Sequence, residues 1–326
     1  EARGGLRVMS DAIEVRNVSK RYGDNLAVND ISFSVPTGSL CGFLGPNGAG
    51  KSTTIRMIMS IIYPDNGTIL ARGGSALDSK DRIGYLPEER GVYRKMRVGE
   101  FLGYIARLKG IDARSSRRLA EDWLERMELP GVARKRCQEL SKGMQQKVQF
   151  IATIMHDPEL IILDEPFSGL DPVNANLLGR IIHELNEEGR TIIFSTHVLH
   201  QAEQICDRVL MINKGSIVLD DTMEGLQRTF DPSTILLRSA EPIDRLIEAS
   251  PSLPGVLAIH RHEDANSAEI QLEKIGERLD RIPPGLLARI SELTAVNSLE
   301  LRRPTLDDVF VTLVGTSITE MEESTA

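Results

Sequence analysis

Cysteine is scarce in this chain. There are three, Cys41, Cys137 and Cys206, an odd and scattered set that excludes a disulfide framework. Each lies in or beside an apolar stretch, where a small core side chain is expected, and a reducing cytoplasm fits. Long apolar runs are absent: no stretch reaches the ~18 residues that a membrane-crossing helix needs, so any channel has to come from another chain. The opening stretch EARGGLRVMSDA holds no apolar core of signal-peptide length, and a cytoplasmic location is expected. An excess of positive charge is also lacking. Lys and Arg number 39 against 47 Asp and Glu, for a net charge of −8. Nucleic-acid binders need a basic face, so no nucleic-acid partner is expected. There is no internal repeat. What is present is ordinary for a globular protein: 41% hydrophobic and 26% charged residues supply a sizeable core. The 326 residues suit about two domains.

The N-terminal part opens with two alternating stretches, IEVRNVSKRYG and AVNDISFSVPTG, which read as antiparallel strands. SLCGFLG is a buried strand running through a glycine-rich turn into the helix KSTTIRMIMSII. The pattern is helical from about Val98 to Cys137. Two apolar strands, LIILDEP and TIIFSTH, flank the helix NANLLGRIIHELNEEG, with Gly189 at its expected stop. Strands alternating with helices predict a largely parallel sheet with covered faces. Near Asp231 and Pro232 the character changes. The order strand STILLRS, helix EPIDRLIEA, hairpin around EDANS, helix LLARISELTA and strand NSLELRR reads βαββαβ, a small ferredoxin-like α+β unit. A closing helix, PTLDDVFVTLVG, carries a capping box of Thr305 with Asp308. His260 and His262 alternate on one of these strands and read as solvated.

The sharpest motif is GPNGAGKST: Gly45, Pro46, Asn47, Gly48, Ala49, Gly50, Lys51, Ser52 and Thr53. It matches G-x-x-x-x-G-K-[ST] in the strand–loop–helix context that gives the motif its meaning. The glycines let backbone N–H groups turn inward on phosphate oxygens. Lys51 sets a charge against the terminal phosphates, and Ser52 offers a hydroxyl to Mg²⁺. ATP and Mg²⁺ are thus the expected ligands. The strand LIILDEP ends in two carboxylates. Asp164 is the expected holder of the Mg²⁺ shell, and Glu165 the residue that orients or deprotonates the attacking water.

LSKGMQQKV begins another helix, with Met144, Val148, Ile151 and Met155 along one apolar face. Its first turn holds Lys142 and Gly143, although glycine costs about 1 kcal/mol inside a helix. A helix start with bare N–H groups beside a serine and a positive charge is an anion site.

These motifs, in this order over residues 12–230, resemble the ATP-binding subunits of ABC transporters. The resemblance implies an α/β fold: a P-loop NTPase core with an antiparallel β subdomain and a helical subdomain near residues 90–157. Residues 1–11 are then an N-terminal extension, 231–318 the ferredoxin-like α+β C-terminal domain, and 319–326 a solvated tail. Tyr22 matches the aromatic that stacks on adenine. Ser141, Lys142, Gly143, Met144 and Gln145 match the family signature, which faces nucleotide held by the other subunit. Ser168, Gly169, Leu170 and Asp171 match the loop that meets that subunit. His197 matches the switch histidine on the γ-phosphate; the pair His197 and His200 otherwise hints at a metal, but without a second ligand pair. Catalysis falls to Lys51, Glu165 and His197.

Two positions depart from the family pattern. The signature usually reads L-S-G-G-Q, and here Lys142 and Met144 replace a glycine and the glutamine. Ser141 and Gly143 remain as donors. In IGYLPEERGVY, Glu88 stands where the family has a glutamine reaching the metal. A carboxylate ligates Mg²⁺ as well as an amide does, or it swings out and links the core to the helical subdomain; both readings stay open. LPEERG and PTLDDVF resemble a subset of bacterial export-type subunits with an appended α+β domain and a multi-helix permease. The implied assembly is a homodimer or a pseudo-symmetric heterodimer around two ATPs, held by a permease at the cytoplasmic face of the membrane. The rivals are a soluble ATPase of the same type acting on ribosomes or DNA, and a weakly hydrolysing regulatory binder.

Overall fold

A computed structural model describes residues 11–89, 91–230, 233–262, 264–273 and 282–315. The N-terminal extension as far as residue 10, Asp231 and Pro232, Glu263 of the hairpin tip, and the tail lie outside the described residues. The chain divides into two compact units, one running to Asp221 and the other spanning Thr222–Thr312.

The first unit begins with the strands β1 (Asp11–Tyr22) and β2 (Asn25–Pro36), paired antiparallel as their alternation predicts. After β3 (Leu40–Leu44) and helix α1 (Lys51–Ile58), strand β4 (Asn66–Ala71) joins β1 on its other side. The chain continues through β5 (Ile83–Leu86), α2 (Val98–Leu108), α3 (Ala113–Arg126), α4 (Lys142–Ile154) and β6 (Leu160–Asp164). It closes with α5 (Pro172–Glu187), β7 (Thr191–Thr196), α6 (Leu199–Ile205), β8 (Arg208–Asn213) and β9 (Ser216–Thr222).

The main sheet has the order β5-β6-β7-β3-β8-β9, and β5, β6, β7, β3 and β8 run parallel. Every residue of LCGFL, LIILD and TIIFST is buried, because central parallel strands are covered on both faces. Their carboxyl ends lie side by side. In an open parallel sheet that edge is where ligands bind, and each of β3, β6 and β7 ends there in a chemistry-bearing segment.

Sequence pattern did not disclose β4, β5, β8, β9 or α6. β4 and β9 are mostly exposed or half-buried and so lack a clean alternation. β8 turns into β9 through Lys214 and Gly215, both at positive φ of 48° and 79°, the backbone of a tight hairpin. Helix α4 also differs from its expected single apolar face. From Gln146 to Ile154 it is buried all round, and Gln146, Lys147, Gln149 and Thr153 are taken in with it. Such polar groups are tolerated inside because they find partners. All three cysteines are free and buried. Among the described residues, no helix is long and apolar enough to cross a membrane.

The second unit holds α7 (Met223–Thr229), β10 (Thr234–Ser239), α8 (Asp244–Ala249), β11 (Val256–Arg261), β12 (Ser267–Leu272), α9 (Leu286–Leu293), β13 (Val296–Leu301) and most of α10 (Leu306–Val314). Its antiparallel sheet has the order β11-β12-β10-β13, which is the split βαβ arrangement that the element order predicts. Ile235, Leu237, Leu246, Ile270, Leu286 and Ile290 form its core. The capping box before α10 is formed: Thr305 Oγ accepts the Asp308 N–H at 3.1 Å, and Asp308 Oδ2 accepts the Thr305 N–H at 3.0 Å. His260 and His262 are exposed.

Candidate functional site

The phosphate loop lies between the carboxyl end of β3 and α1. Two of its glycines are required by geometry. A Cβ on Gly45 (φ 151°) would lie 2.2 Å from the Ile212 carbonyl oxygen, and one on Gly50 (φ 112°) 2.6 Å from that of Ala27. The loop therefore fits under β2 and beside β8 only with a bare backbone there. Lys51 opens α1 and is buried, and its ammonium donates to the carbonyls of Gly45 at 2.7 Å and Pro46 at 3.2 Å. The same ammonium stands 3.6 Å from Glu165 Oε1.

β6 delivers the carboxylates. Asp164 is fully buried; its Oδ1 accepts from Ser195 Oγ at 2.6 Å and from Ser52 Oγ at 3.2 Å. Burial pushes its carboxyl above the usual carboxylate range, against the lowering effect of those two hydroxyls. Glu165 follows with φ 50°, a left-handed backbone that costs a non-glycine residue about 1–2 kcal/mol. Its N–H is held by Ser195 Oγ at 3.0 Å. His197, just past β7, brings Nδ1 to 3.1 Å from Glu165 Oε1; toward an ionised carboxylate that nitrogen donates. Lys51, Ser52, Asp164, Glu165 and His197 thus form one connected group.

The group fits a hard divalent cation. Asp164 Oδ2 is buried and has no hydrogen-bond partner, and the Ser52 hydroxyl meets the same carboxylate. Oxygen ligands of this kind suit Mg²⁺, which is commonly held by one or two carboxylates together with substrate phosphates. His197 is engaged with Glu165. His200 is exposed, 3.7 Å from Glu203 and 3.0 Å from Gln204.

The other residues singled out in the sequence stand apart from this group. Tyr22, 49% exposed, ends β1 with the Lys20 ammonium 5.7 Å from its ring centre. Glu88 is exposed on the loop after β5 and takes no part in the connected group among the described residues. That loop is pinned from α4: the Gln149 amide donates to the Pro87 and Glu89 carbonyls at 3.4 and 3.2 Å and accepts the Gly91 N–H at 3.1 Å.

The signature forms a second group. Ser141 caps α4 by accepting the Met144 N–H at 3.2 Å, which leaves its hydroxyl proton to donate elsewhere. Ser141 and Lys142 are exposed. A Cβ on Gly143 would meet Leu170 at 3.4 Å and the Gly169 carbonyl at 3.6 Å, so the helix start packs on the loop of Ser168 to Asp171. Gln145 turns inward and donates to the Cys137 and Leu140 carbonyls at 3.2 and 3.1 Å. Asp171 caps α5 through the Asn174 N–H at 2.9 Å, and Asn174 accepts from the buried Lys147 at 2.7 Å. The Asn174 hydrogen bonds hold the Asp171 carboxyl below its usual range.

Sequence reading missed Ser195 and Gln149. A hydroxyl at the end of the apolar run TIIFST was the available signal for Ser195. For Gln149 there was none, because its partners are backbone atoms some 60 residues away.

The profile of the ABC transporter family matches residues 28–168. YhaQ of Bacillus subtilis, an uncharacterized ABC transporter ATP-binding protein, is 36% identical over 304 residues, covering 93% of this chain and 98% of the relative. The Nod factor export ATP-binding protein I of Burkholderia orbicola is 32% identical over 308 residues, covering 93% and 97%. Among solved structures, one described as the ATP-binding subunit of an ABC transporter superposes with a TM-score of 0.62 at 31% identity, covering 67% of this chain and 93% of that one.

Proposed function

Because the chain belongs to the family of ABC transporter ATP-binding proteins, whose members are ATPases working with membrane permeases, we propose that it hydrolyses ATP as one half of a dimer that drives a permease. The observation that carries this reading is the linked group of Lys51, Glu165 and His197 beside the phosphate loop.

The backbone N–H groups of Gly48 to Thr53 and the start of α1 bind the phosphates, and Lys51 neutralises the terminal ones. A γ-phosphate competes with Glu165 for the Lys51 ammonium, which releases the carboxylate to face water. Glu165 then takes the proton of the attacking water, and His197 holds Glu165 by its Nδ1–H. Ser52 and Asp164 would hold Mg²⁺, which would supply positive charge to offset that of the phosphates. Tyr22 stacks on adenine. Ser141 and Gly143 serve nucleotide on the partner chain, and Ser168 to Asp171 meet that chain. Residues about 90–157 pass the motion to the permease at the cytoplasmic face. A relative named for export supports export as the direction. The C-terminal α+β unit stabilises or regulates the dimer.

The rival acting on ribosomes or DNA is disfavoured by near full-length matches to transporter subunits and by a net charge of −8. The test is Mg²⁺-dependent ATPase activity of the purified chain, together with co-purification of an integral membrane protein. Lys51→Ala should abolish hydrolysis; near-parental activity in that variant would sink the site assignment.

A further inference from the structure

Ser195 has no part in the chemistry just described, yet it is fully buried where the two carboxylates meet. It is the register partner of Asp164 across β6 and β7. Its hydroxyl donates to Asp164 Oδ1 at 2.6 Å and accepts the Glu165 N–H at 3.0 Å. One hydroxyl carries one proton and two lone pairs, so both bonds are made at once. The first bond occupies Oδ1 and leaves Oδ2 as the buried oxygen without a partner. The second satisfies the N–H of a residue held in the left-handed region at φ 50°.

We propose that Ser195 is a positioning residue: its hydroxyl sets the rotation of the Asp164 carboxylate, so that Oδ2 is presented to the divalent cation, and anchors the backbone from which Glu165 projects. The inference rests on Asp164 being a ligand of that cation. Groups that orient a metal's ligands act on affinity through geometry, and their loss typically costs 10–100-fold in metal binding.

The test is Mn²⁺ binding to the ADP-loaded chain, with ADP kept below the protein concentration so that all of it is bound. Free Mn²⁺ is read by electron paramagnetic resonance. Three substitutions separate the hydroxyl from packing: Ser195→Ala removes it, Ser195→Thr keeps it, and Ser195→Val matches threonine in shape without it. Mn²⁺ affinity should fall about 10-fold or more in the Ala and Val variants and stay close to parental in the Thr variant. ADP affinity in EDTA should be unchanged in all three. Parental Mn²⁺ affinity in Ser195→Ala overturns the proposal. Equal losses in the Thr and Val variants, or a matching loss of ADP binding in EDTA, assign Ser195 to packing and also overturn it. Asp164→Asn is the control for the premise: if it leaves Mn²⁺ binding intact, the ligand assignment itself fails. If it weakens binding and Ser195→Ala does not, only the positioning role fails.

Discussion

Glu165 shows how much a single residue is asked to hold. It sits in the left-handed region, it is buried, and its Oε1 is approached by Lys51 at 3.6 Å and His197 at 3.1 Å. Two donors meet its Oε1, and in the proposed mechanism it acts as the base once a phosphate draws the ammonium away. Glutamine has the same shape, keeps the Lys51 and His197 contacts through its carbonyl oxygen, and cannot take a proton. Glu165→Gln should therefore lower the hydrolysis rate by about 100-fold or more, the usual worth of a general base. ATP binding should stay within a few-fold of the parent, because Asp164 and Lys51 are untouched. Turnover of ATP at the parental rate, measured by phosphate release, would remove Glu165 from the mechanism.

At the scale of elements, α4 is the hub of the first unit. Its exposed start presents the signature, its buried middle clamps the loop of Glu88 through Gln149, and just beyond its end lies His156. The His156 Nε2 faces the Ile83 carbonyl at 3.3 Å, and Nδ1 is buried with no hydrogen-bond partner. Burial pushes the imidazole down to about 4, helped by the charge of Lys109 and opposed by the Ile83 carbonyl, Asp81 and Asp157. The unfolded chain takes up this proton near pH 6.5; the folded chain resists until about pH 4. Between those values the unfolded state binds more protons, so stability falls as pH falls, and the effect is absent above about pH 7. Between pH 7 and pH 5 the parent should lose about 1 kcal/mol more than His156→Gln, after discounting for partial solvent screening. Urea unfolding of both proteins at the two pH values reads the difference. Parallel losses would show that His156 titrates as a solvated histidine.

On the scale of the whole molecule, the exposed Ser141–Gly143 start of α4 is proposed to serve a nucleotide held by another chain. Among the described residues, no hydrogen bond joins Ser141 to Gln145 with the phosphate loop of the same chain, and that loop is complete without them. The proposed dimer supplies the missing anion from a second chain. With hydrolysis blocked by Glu165→Gln, ATP should drive dimerisation, visible as a doubling of mass by light scattering. Adding Ser141→Arg places a bulky side chain where the partner's phosphate must sit. Dimerisation should disappear, while a fluorescent ATP analogue still binds each monomer as before. Weakening of monomer binding in step with dimerisation would mean that this helix contacts its own nucleotide, and the paired arrangement fails.

Sequence alone determined the parts whose signal is local. GPNGAGKST, the carboxylates ending LIILDEP, the apolar runs of β3, β6 and β7, and the βαββαβ order of the second unit all depend on near neighbours or on a short repeat. Tertiary structure alone decided three other things. It buried α4 on every side, because the residues around a helix are set by how other elements pack and not by its own period. It brought Ser195 to Asp164 and Gln149 to the Glu88 loop, since hydrogen bonds between adjacent parallel strands, or to backbone atoms distant in sequence, leave no spacing to read. It also left Asp164 Oδ2 without a partner at the carboxyl edge of the sheet, where strand order, which no single segment encodes, gathers the ends of β3, β6 and β7.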